Sequence, residues 1–194
     1  MAEPETFDQF LISVGRDTWD IFRRDAVLFV VAAVVLSIVA VVSLGFAAGP
    51  VTIGFIELVR RSRRQEPLAL SMLFSRFDTF VPSLVALVLI GLAVTIGMFL
   101  LVLPGLLALL FSTFAFHAIA YEGASGVDSL QRSFELVKGS FLQTAALLFV
   151  ISVAHAVGGA VLFGVLLTAP LSLIALTVGF ERLTATSAPE VLRI

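Results

Sequence analysis

The sequence lacks cysteine, and over three long stretches it also lacks every charged residue. Without cysteine, disulfides, thiolate catalysis and cysteine metal sites are excluded. All 14 acidic and 12 basic residues lie outside Ala26–Ile56, Thr79–Tyr121 and Gly139–Phe180. A charge at the centre of a lipid bilayer costs roughly 2.5 to 3.5 kcal/mol, whereas a soluble core tolerates polar helix faces. The charge-free stretches therefore predict an integral membrane protein.

Little of the chain remains for a soluble domain. Hydrophobic residues make up 59% of the sequence, against roughly 45 to 50% in soluble domains, and the mean hydropathy is +1.10. The formal charge of −2 offers no clustered basic excess, so we expect no nucleic-acid partner. Met1–Asp25 lacks the pattern of a secretory signal, so the first apolar run is expected to remain as a membrane segment. We predict one all-α membrane domain over residues 1–194.

The second and third charge-free stretches are each long enough for two membrane crossings, since about 20 helical residues span the hydrocarbon core. Helix breakers lie where the turns are expected, at Pro104-Gly105, at Gly158-Gly159 and at Ala169-Pro170. The first stretch is shorter. It fits either one strongly tilted crossing or two short ones divided near residues 45–50.

Basic residues flank all three stretches and help to decide between these alternatives. If each stretch forms a hairpin, every basic residue faces the same side of the membrane, whereas a single first crossing would strand Arg60–Arg64 on the other side. We therefore predict about six transmembrane segments in three Pro/Gly-broken hairpins, with both termini in the cytoplasm. The first hairpin must be compressed, and its second arm, Pro50–Val59, need not cross fully.

A similar pattern recurs three times, which predicts pseudo-repeats at about 7–64, 65–122 and 123–185, followed by a short polar tail, 186–194. An aromatic residue followed by an acid precedes each apolar run, at Trp19-Asp20, Phe77-Asp78 and Phe134-Glu135. Each copy is expected to begin with an amphipathic helix on the cytoplasmic surface. Capping-box spacing at Thr6/Gln9 and Ser125/Asp128, and Pro67 at a first helical position, support these helices.

The segment Asp128–Gly139 resembles the cytoplasmic helix of the YciC-like family of prokaryotic inner-membrane proteins. It is also similar to the membrane domain fused to some glycerophosphodiester phosphodiesterases. Leu103-Pro104-Gly105, Gly164 with Pro170, and Gly49-Pro50 with Gly54 add to the likeness. The resemblance implies a six-helix fold in the prokaryotic cytoplasmic membrane and no particular activity. Nothing in the chain resembles the phosphodiesterase catalytic domain.

His155 lies in the middle of a predicted crossing, where an ionisable side chain is a functional candidate by default. No second His, Asp or Glu is predicted at its depth, so neither a metal site nor a proton relay is complete. The alternative is a neutral histidine that is hydrogen-bonded to a neighbouring helix.

Thr113, His117 and Tyr121 follow one another at helical spacing and are predicted to share one face. They can line a vestibule, or they can simply anchor the helix end at the membrane interface, with Tyr121 in the aromatic belt.

Five arginines beside the second apolar run are candidates for contact with anionic lipid headgroups. They are Arg60, Arg61, Arg63, Arg64 and Arg76. Ordinary topology determination explains the same residues equally well. Glu57 lies one helical turn before Arg60 and Arg61, and we expect these residues to pair at the interface.

Small residues recur at spacings that permit close helix packing. They are Gly45, Gly49, Gly91, Ser152 and Ala156. The sequence does not distinguish contacts within one chain from a seam between two copies.

These observations predict a non-enzymatic membrane protein without cofactor or metal, with a structural, membrane-organising or lipid-interacting role, alone or in a larger complex. Membrane lipids are the expected partners, and homo-oligomers or other membrane proteins remain open. The second hypothesis is a small-solute transporter or channel with a site between hairpins near His155, because Pro-broken helices can expose backbone groups to a substrate.

Overall fold

The described part of the chain is helical throughout and contains no β-strand. A computed structural model describes residues 6–160 and 164–191, with side chains as far as Thr186. The α-helices of this part are α1 (Phe7–Arg24), α2 (Ala26–Val42), α3 (Ala48–Arg63), α4 (Phe80–Leu100), α5 (Val102–Ser112), α6 (Ala115–Glu122), α7 (Gly126–Gly139), α8 (Phe141–Gly159) and α9 (Gly164–Val191). Two short 3-10 helices, Leu70–Phe74 and Phe77–Thr79, precede α4. The predicted all-α class is confirmed. Arg193 and the end of the predicted polar tail lie outside the described residues.

Four helical segments in this part of the chain are long and apolar enough to cross a membrane. They are Leu70–Leu100, Val102–Glu122, Phe141–Gly159 and Gly164–Thr186. A fifth is added if α1 and α2, which are bent by 95° at their junction, count as one broken span. These segments indicate a membrane protein.

The first predicted hairpin corresponds to α2 and α3, with 17 and 16 residues. Both helices are shorter than the roughly 20 residues that a full crossing needs. Helix α3 lies in the interior of the bundle, where Val51, Phe55 and Leu58 are fully buried, and it packs against α2, α4, α6 and α9. Both helices are thus short, as the sequence predicted for this segment.

The helix breaks differ in part from the predicted turns. The first turn occupies residues 43–47, where Leu44 and Gly45 have positive φ angles of 51° and 87°, and Gly49-Pro50 lie in the first turn of α3. The second break is the extended residue Leu101, with Pro104 in the first turn of α5. The predicted turn at Ala169-Pro170 is wrong, because both residues lie inside α9. Proline is tolerated there since Pro and Gly breaks are accommodated in membrane helices.

Two of the predicted amphipathic helices are present, at α1 and α7. Helix α1 is amphipathic, with Phe10, Val14 and Phe22 buried, and the backbone N–H of Thr6 donates to Gln9 Oε1 at 3.0 Å. At α7 the Ser125 hydroxyl accepts from the Asp128 N–H at 3.2 Å. Both predicted caps are confirmed.

The second copy departs from this pattern, because residues 66–79 contain the two 3-10 helices and no amphipathic α-helix. Pro67 precedes them in extended chain and does not open a helix. The aromatic residues of all three copies are nevertheless exposed, by 56% at Trp19, 44% at Phe77 and 46% at Phe134. This shared exposure suits rings that lie at headgroup depth.

Candidate functional site

A layer of charged and polar side chains joins four helices at one end of the bundle. We call this layer the ionic cap, and its members are Asp17 of α1, Glu57, Arg60 and Arg63 of α3, Tyr121 of α6, and Glu181 and Arg182 of α9. Asp17 lies 2.7 Å from Arg182 and 3.9 Å from Arg63. Glu181 pairs with Arg63 and accepts a hydrogen bond from the Tyr121 hydroxyl. The surface helix α1 is thereby tied to α3 and α9.

Glu57 pairs with both arginines that follow it by one helical turn. Its carboxylate lies 2.9 Å from Arg60 and 3.3 Å from Arg61. The Arg60 guanidinium also stacks over the Tyr121 ring at 4.3 Å, a cation–π contact. The expected pairing of this interfacial carboxylate is present, and Glu57 is part of the ionic cap.

Each arginine of the predicted headgroup cluster has a carboxylate within 4.0 Å. Besides the pairs above, Arg64 approaches Glu66 at 3.9 Å, and Arg76 approaches Asp78 at 3.5 Å. These pairs partly neutralise the cluster. Arg64, whose side chain is 64% exposed, and Arg61, at 40%, are the most accessible of the five.

His117 lies in the core and not in an open vestibule. Its Nε2 is 3.3 Å from the Thr177 hydroxyl of α9, its ring stacks on Phe180 at 5.4 Å, and it is only 3% exposed. Its Nδ1 is buried without a hydrogen-bond partner among the described residues.

The structure does not bring together the predicted triad of Thr113, His117 and Tyr121. Tyr121 contacts Phe180 at 5.2 Å, next to His117, but Thr113 lies in the break between α5 and α6 and donates to the Leu109 carbonyl at 3.1 Å. Thr113 is thus bonded to its own helix, whereas His117 and Tyr121 both contact Phe180.

His155 lies on the exposed side of α8. Its Nδ1 is 3.0 Å from the Ile151 carbonyl of its own helix and 3.3 Å from the Ser172 hydroxyl of α9. It thus makes the expected contact with a neighbouring helix, but at the periphery of the bundle. Of all the described residues, no three that could ligate a metal ion lie close enough together to do so.

Among the described residues, one of the five small residues predicted to permit close packing makes such a contact, namely Gly49. A Cβ atom on Gly49 would lie 2.6 Å from Ser83 of α4, so this glycine permits close approach of α3 and α4. A Cβ on Gly45 or Gly91 would meet nothing within 4 Å, and Ser152 and Ala156 are exposed. Gly45 serves the turn, and the other three face outward, so for them the alternative of a seam between copies stays a prediction.

Other glycines make the close contacts that the sequence reading missed. Gly97 of α4 lies against Gly105 of α5, and Gly126 of α7 lies against Val85 of α4. Gly54 of α3 lies against the backbone of Leu73. The spacing of these glycines in the sequence did not predict their contacts, because each packs against a residue that is distant in sequence or on the other side of a turn.

An apolar groove of about 240 Å³ runs between α1 and the pair α8 and α9. We call it the α1 groove. Its walls include Leu11, Val14, Leu147, Ile151, Leu171 and Ala175. Gly15, Thr18 and Trp19 of α1 and Ser172 of α9 also line it. The sequence contained a signal for this groove. Residues 11, 14, 15 and 18 lie on one face of a helix, and the glycine at position 15 leaves a gap in that face.

A protein-family model, described as a domain of unknown function (DUF7847), matches residues 11–192. The chain belongs to this family. The DUF7847 match includes every element from the middle of α1 to the end of α9, and hence both the ionic cap and the α1 groove. No curated protein and no solved structure matches the chain. The DUF7847 description names no activity, so the resemblance to the YciC-like family stays a prediction.

Proposed function

We propose that this protein is a non-enzymatic, multi-pass protein of the prokaryotic cytoplasmic membrane with a lipid-interacting and membrane-organising role. The observation that carries the proposal is the ionic cap, which holds the amphipathic helix α1 against a bundle of apolar helices. An amphipathic helix at a membrane surface buries its apolar face at the level of the headgroups. Here ion pairs from Asp17 fix that helix in place.

The contacts at the charged end support six helical segments with both termini on the cytoplasmic side. Arg24 donates to the Ser62 carbonyl at 2.9 Å, and the Ser62 hydroxyl donates to Asp25 at 3.2 Å. The start of α2 therefore lies beside the end of α3, as in a hairpin that returns to its starting side. Arg132 of α7 likewise pairs with Glu122, the last residue of α6, at 3.1 Å.

The charged end also supplies the lipid contact in this proposal. Cations beside a membrane surface attract anionic headgroups by about 1 kcal/mol each. Arg61 and Arg64 retain the most exposure in the cluster, so we infer that they make the strongest contribution.

The test is the anionic lipid that copurifies with the protein, measured by native mass spectrometry. The double variant Arg61→Gln/Arg64→Gln is expected to retain several-fold less anionic lipid than the wild type. The control Arg132→Gln/Lys138→Gln removes the same charge from α7, and we expect it to retain lipid normally. If both double variants retained as much anionic lipid as the wild type, the proposed role of Arg61 and Arg64 in headgroup binding would be rejected.

A small-solute transporter with a site near His155 is the second candidate. One observation favours it: Ser172 contacts His155 and also lines the α1 groove. If the protein in proteoliposomes supports a solute flux that disappears in His155→Ala, a transport function would replace the non-transport proposal.

A further inference from the structure

The α1 groove has apolar walls on three helices. Val14 of α1 faces Leu147 and Ile151 of α8 and Leu171 and Ala175 of α9 across it. Both α8 and α9 belong to segments that are apolar enough to cross a membrane. A cavity lined by such residues is a poor site for water, which needs two to four polar partners.

The dimensions of the groove favour a single hydrocarbon chain. Along α9 it extends from Ala175 to Thr168, which is two helical turns or about 10 Å. Its volume of about 240 Å³ is smaller than that of most pockets for drug-sized ligands, which begin near roughly 300 Å³.

Thr18 gives the groove one polar group without a partner. The residue is only 6% exposed, and its hydroxyl oxygen makes no hydrogen bond to any described residue. A buried hydroxyl that is left unpaired costs free energy, which a ligand acceptor would recover. Thr18 lies beside Trp19, whose exposed ring suits the headgroup region.

We propose that the α1 groove binds one acyl chain of a membrane glycerolipid, with the ester carbonyl of that chain accepting a hydrogen bond from the Thr18 hydroxyl. The chain lies between α1 and the α8–α9 pair, and the headgroup lies outside Trp19. This inference rests on the membrane location and lipid interaction in the proposed function. It adds a defined site, which is separate from the arginine cluster.

Gly15 offers a way to fill the groove without disturbing the helix. It lines the groove, and a Cβ atom built on it meets nothing within 4 Å. Leucine is also a better helix former than glycine. The variant Gly15→Leu is therefore expected to fold normally while it occupies the space of the lipid chain. Gly91 of α4, which is equally open and exposed, provides the matched control Gly91→Leu.

The experiment uses the full chain in nanodiscs of phosphatidylethanolamine and phosphatidylglycerol that contain a trace of lipid with a photoreactive diazirine at the end of one acyl chain. Irradiation and peptide mapping are expected to place the main crosslinks on Val14, Leu147 and Ile151. Gly15→Leu should reduce them on the order of tenfold, and Gly91→Leu should leave them unchanged. Thr18→Val, which keeps the shape and removes the hydroxyl, should weaken crosslinking by roughly 2- to 10-fold.

Crosslinks spread evenly over the outer surface of α4 and α8, or groove crosslinks that survive in Gly15→Leu, would overturn the inference. Absence of groove crosslinks in a protein that is dimeric in the nanodisc would also overturn it, because a second copy would then be the occupant. A protein that still retains anionic lipid through Arg61 and Arg64 but shows no groove crosslinks contradicts this inference alone. Loss of lipid contact at both places contradicts the proposed function.

Discussion

At the scale of single residues, Asp17 ties α1 to two other helices. It pairs with Arg182 of α9 and approaches Arg63 of α3, and its side chain is 29% exposed. Among the described residues, Asp20, one turn later on the same helix, pairs with Arg23 alone, and these side chains are 41% and 65% exposed. The two aspartates therefore form a matched pair in which only one joins α1 to the bundle.

Replacing Asp17 with asparagine is expected to loosen α1. The loss of two partly exposed ion pairs should destabilise the protein by about 1 kcal/mol, which corresponds to a decrease of roughly 2–4 °C in Tm for a chain of this size. Thermal unfolding in detergent and hydrogen exchange of the α1 amides measure the effect. Asp20→Asn should change neither, and an equal effect of the two substitutions would contradict the anchoring role.

The two histidines show where residue-level prediction failed. For His117 the sequence left a vestibule and interfacial anchoring open, whereas the structure places it in the core against Thr177 and Phe180. His155 was correctly expected to contact a neighbouring helix. The sequence could not predict that His155 is exposed. Apolar residues occur on every face of α8, so no amphipathic pattern shows which face points outward.

At the scale of helices, the apolar runs and the two capped surface helices could be predicted from the sequence. The burial of α3 could not, since a short apolar run has the same composition in a buried core helix as in part of a membrane span. The turn at Ala169-Pro170 was wrongly predicted for a related reason. Proline marks the first turn of a helix, a break or a tolerated interior position, and only the packing of the neighbouring helices decides which.

Helix α3 depends on close contact with the 3-10 segment beside it, which leads to a prediction for Gly54. A Cβ atom on Gly54 would lie 2.6 Å from the carbonyl carbon of Leu73, which belongs to backbone and cannot swing aside. Gly54→Ala is therefore expected to destabilise the protein by about 2 kcal/mol. Thermal unfolding in detergent measures this change.

The control for this prediction is Gly91→Ala, in the interior of α4 where the added methyl group meets nothing. It should stabilise the protein by roughly 0.5 to 1 kcal/mol through better helix propensity. If Gly54→Ala matched this control, α3 would not be packed against Leu73 as described.

At the scale of the whole molecule, the ionic cap joins residues that are remote in sequence. Asp17, Tyr121 and Glu181 come from the first, second and third predicted repeats, respectively. The arginine and acid positions were visible in the sequence, but their pairing was not, because it depends on how the helices are arranged around α3. The same arrangement creates the α1 groove, because α1, at the start of the chain, packs against α8 and α9, near its end.

The central claim is that apolar helices cross the membrane and that the ionic groups of the described chain all lie on the cytoplasmic side. Because the sequence has no cysteine, single cysteines can be introduced and labelled with a membrane-impermeant maleimide in intact cells. Phe46→Cys, Leu103→Cys and Ala160→Cys, at the three turns opposite the cap, should be labelled from outside. Ser75→Cys and Gln131→Cys should react only after the cells are permeabilised. Labelling of all five positions from the same side, or of Gln131→Cys in intact cells, would contradict the account.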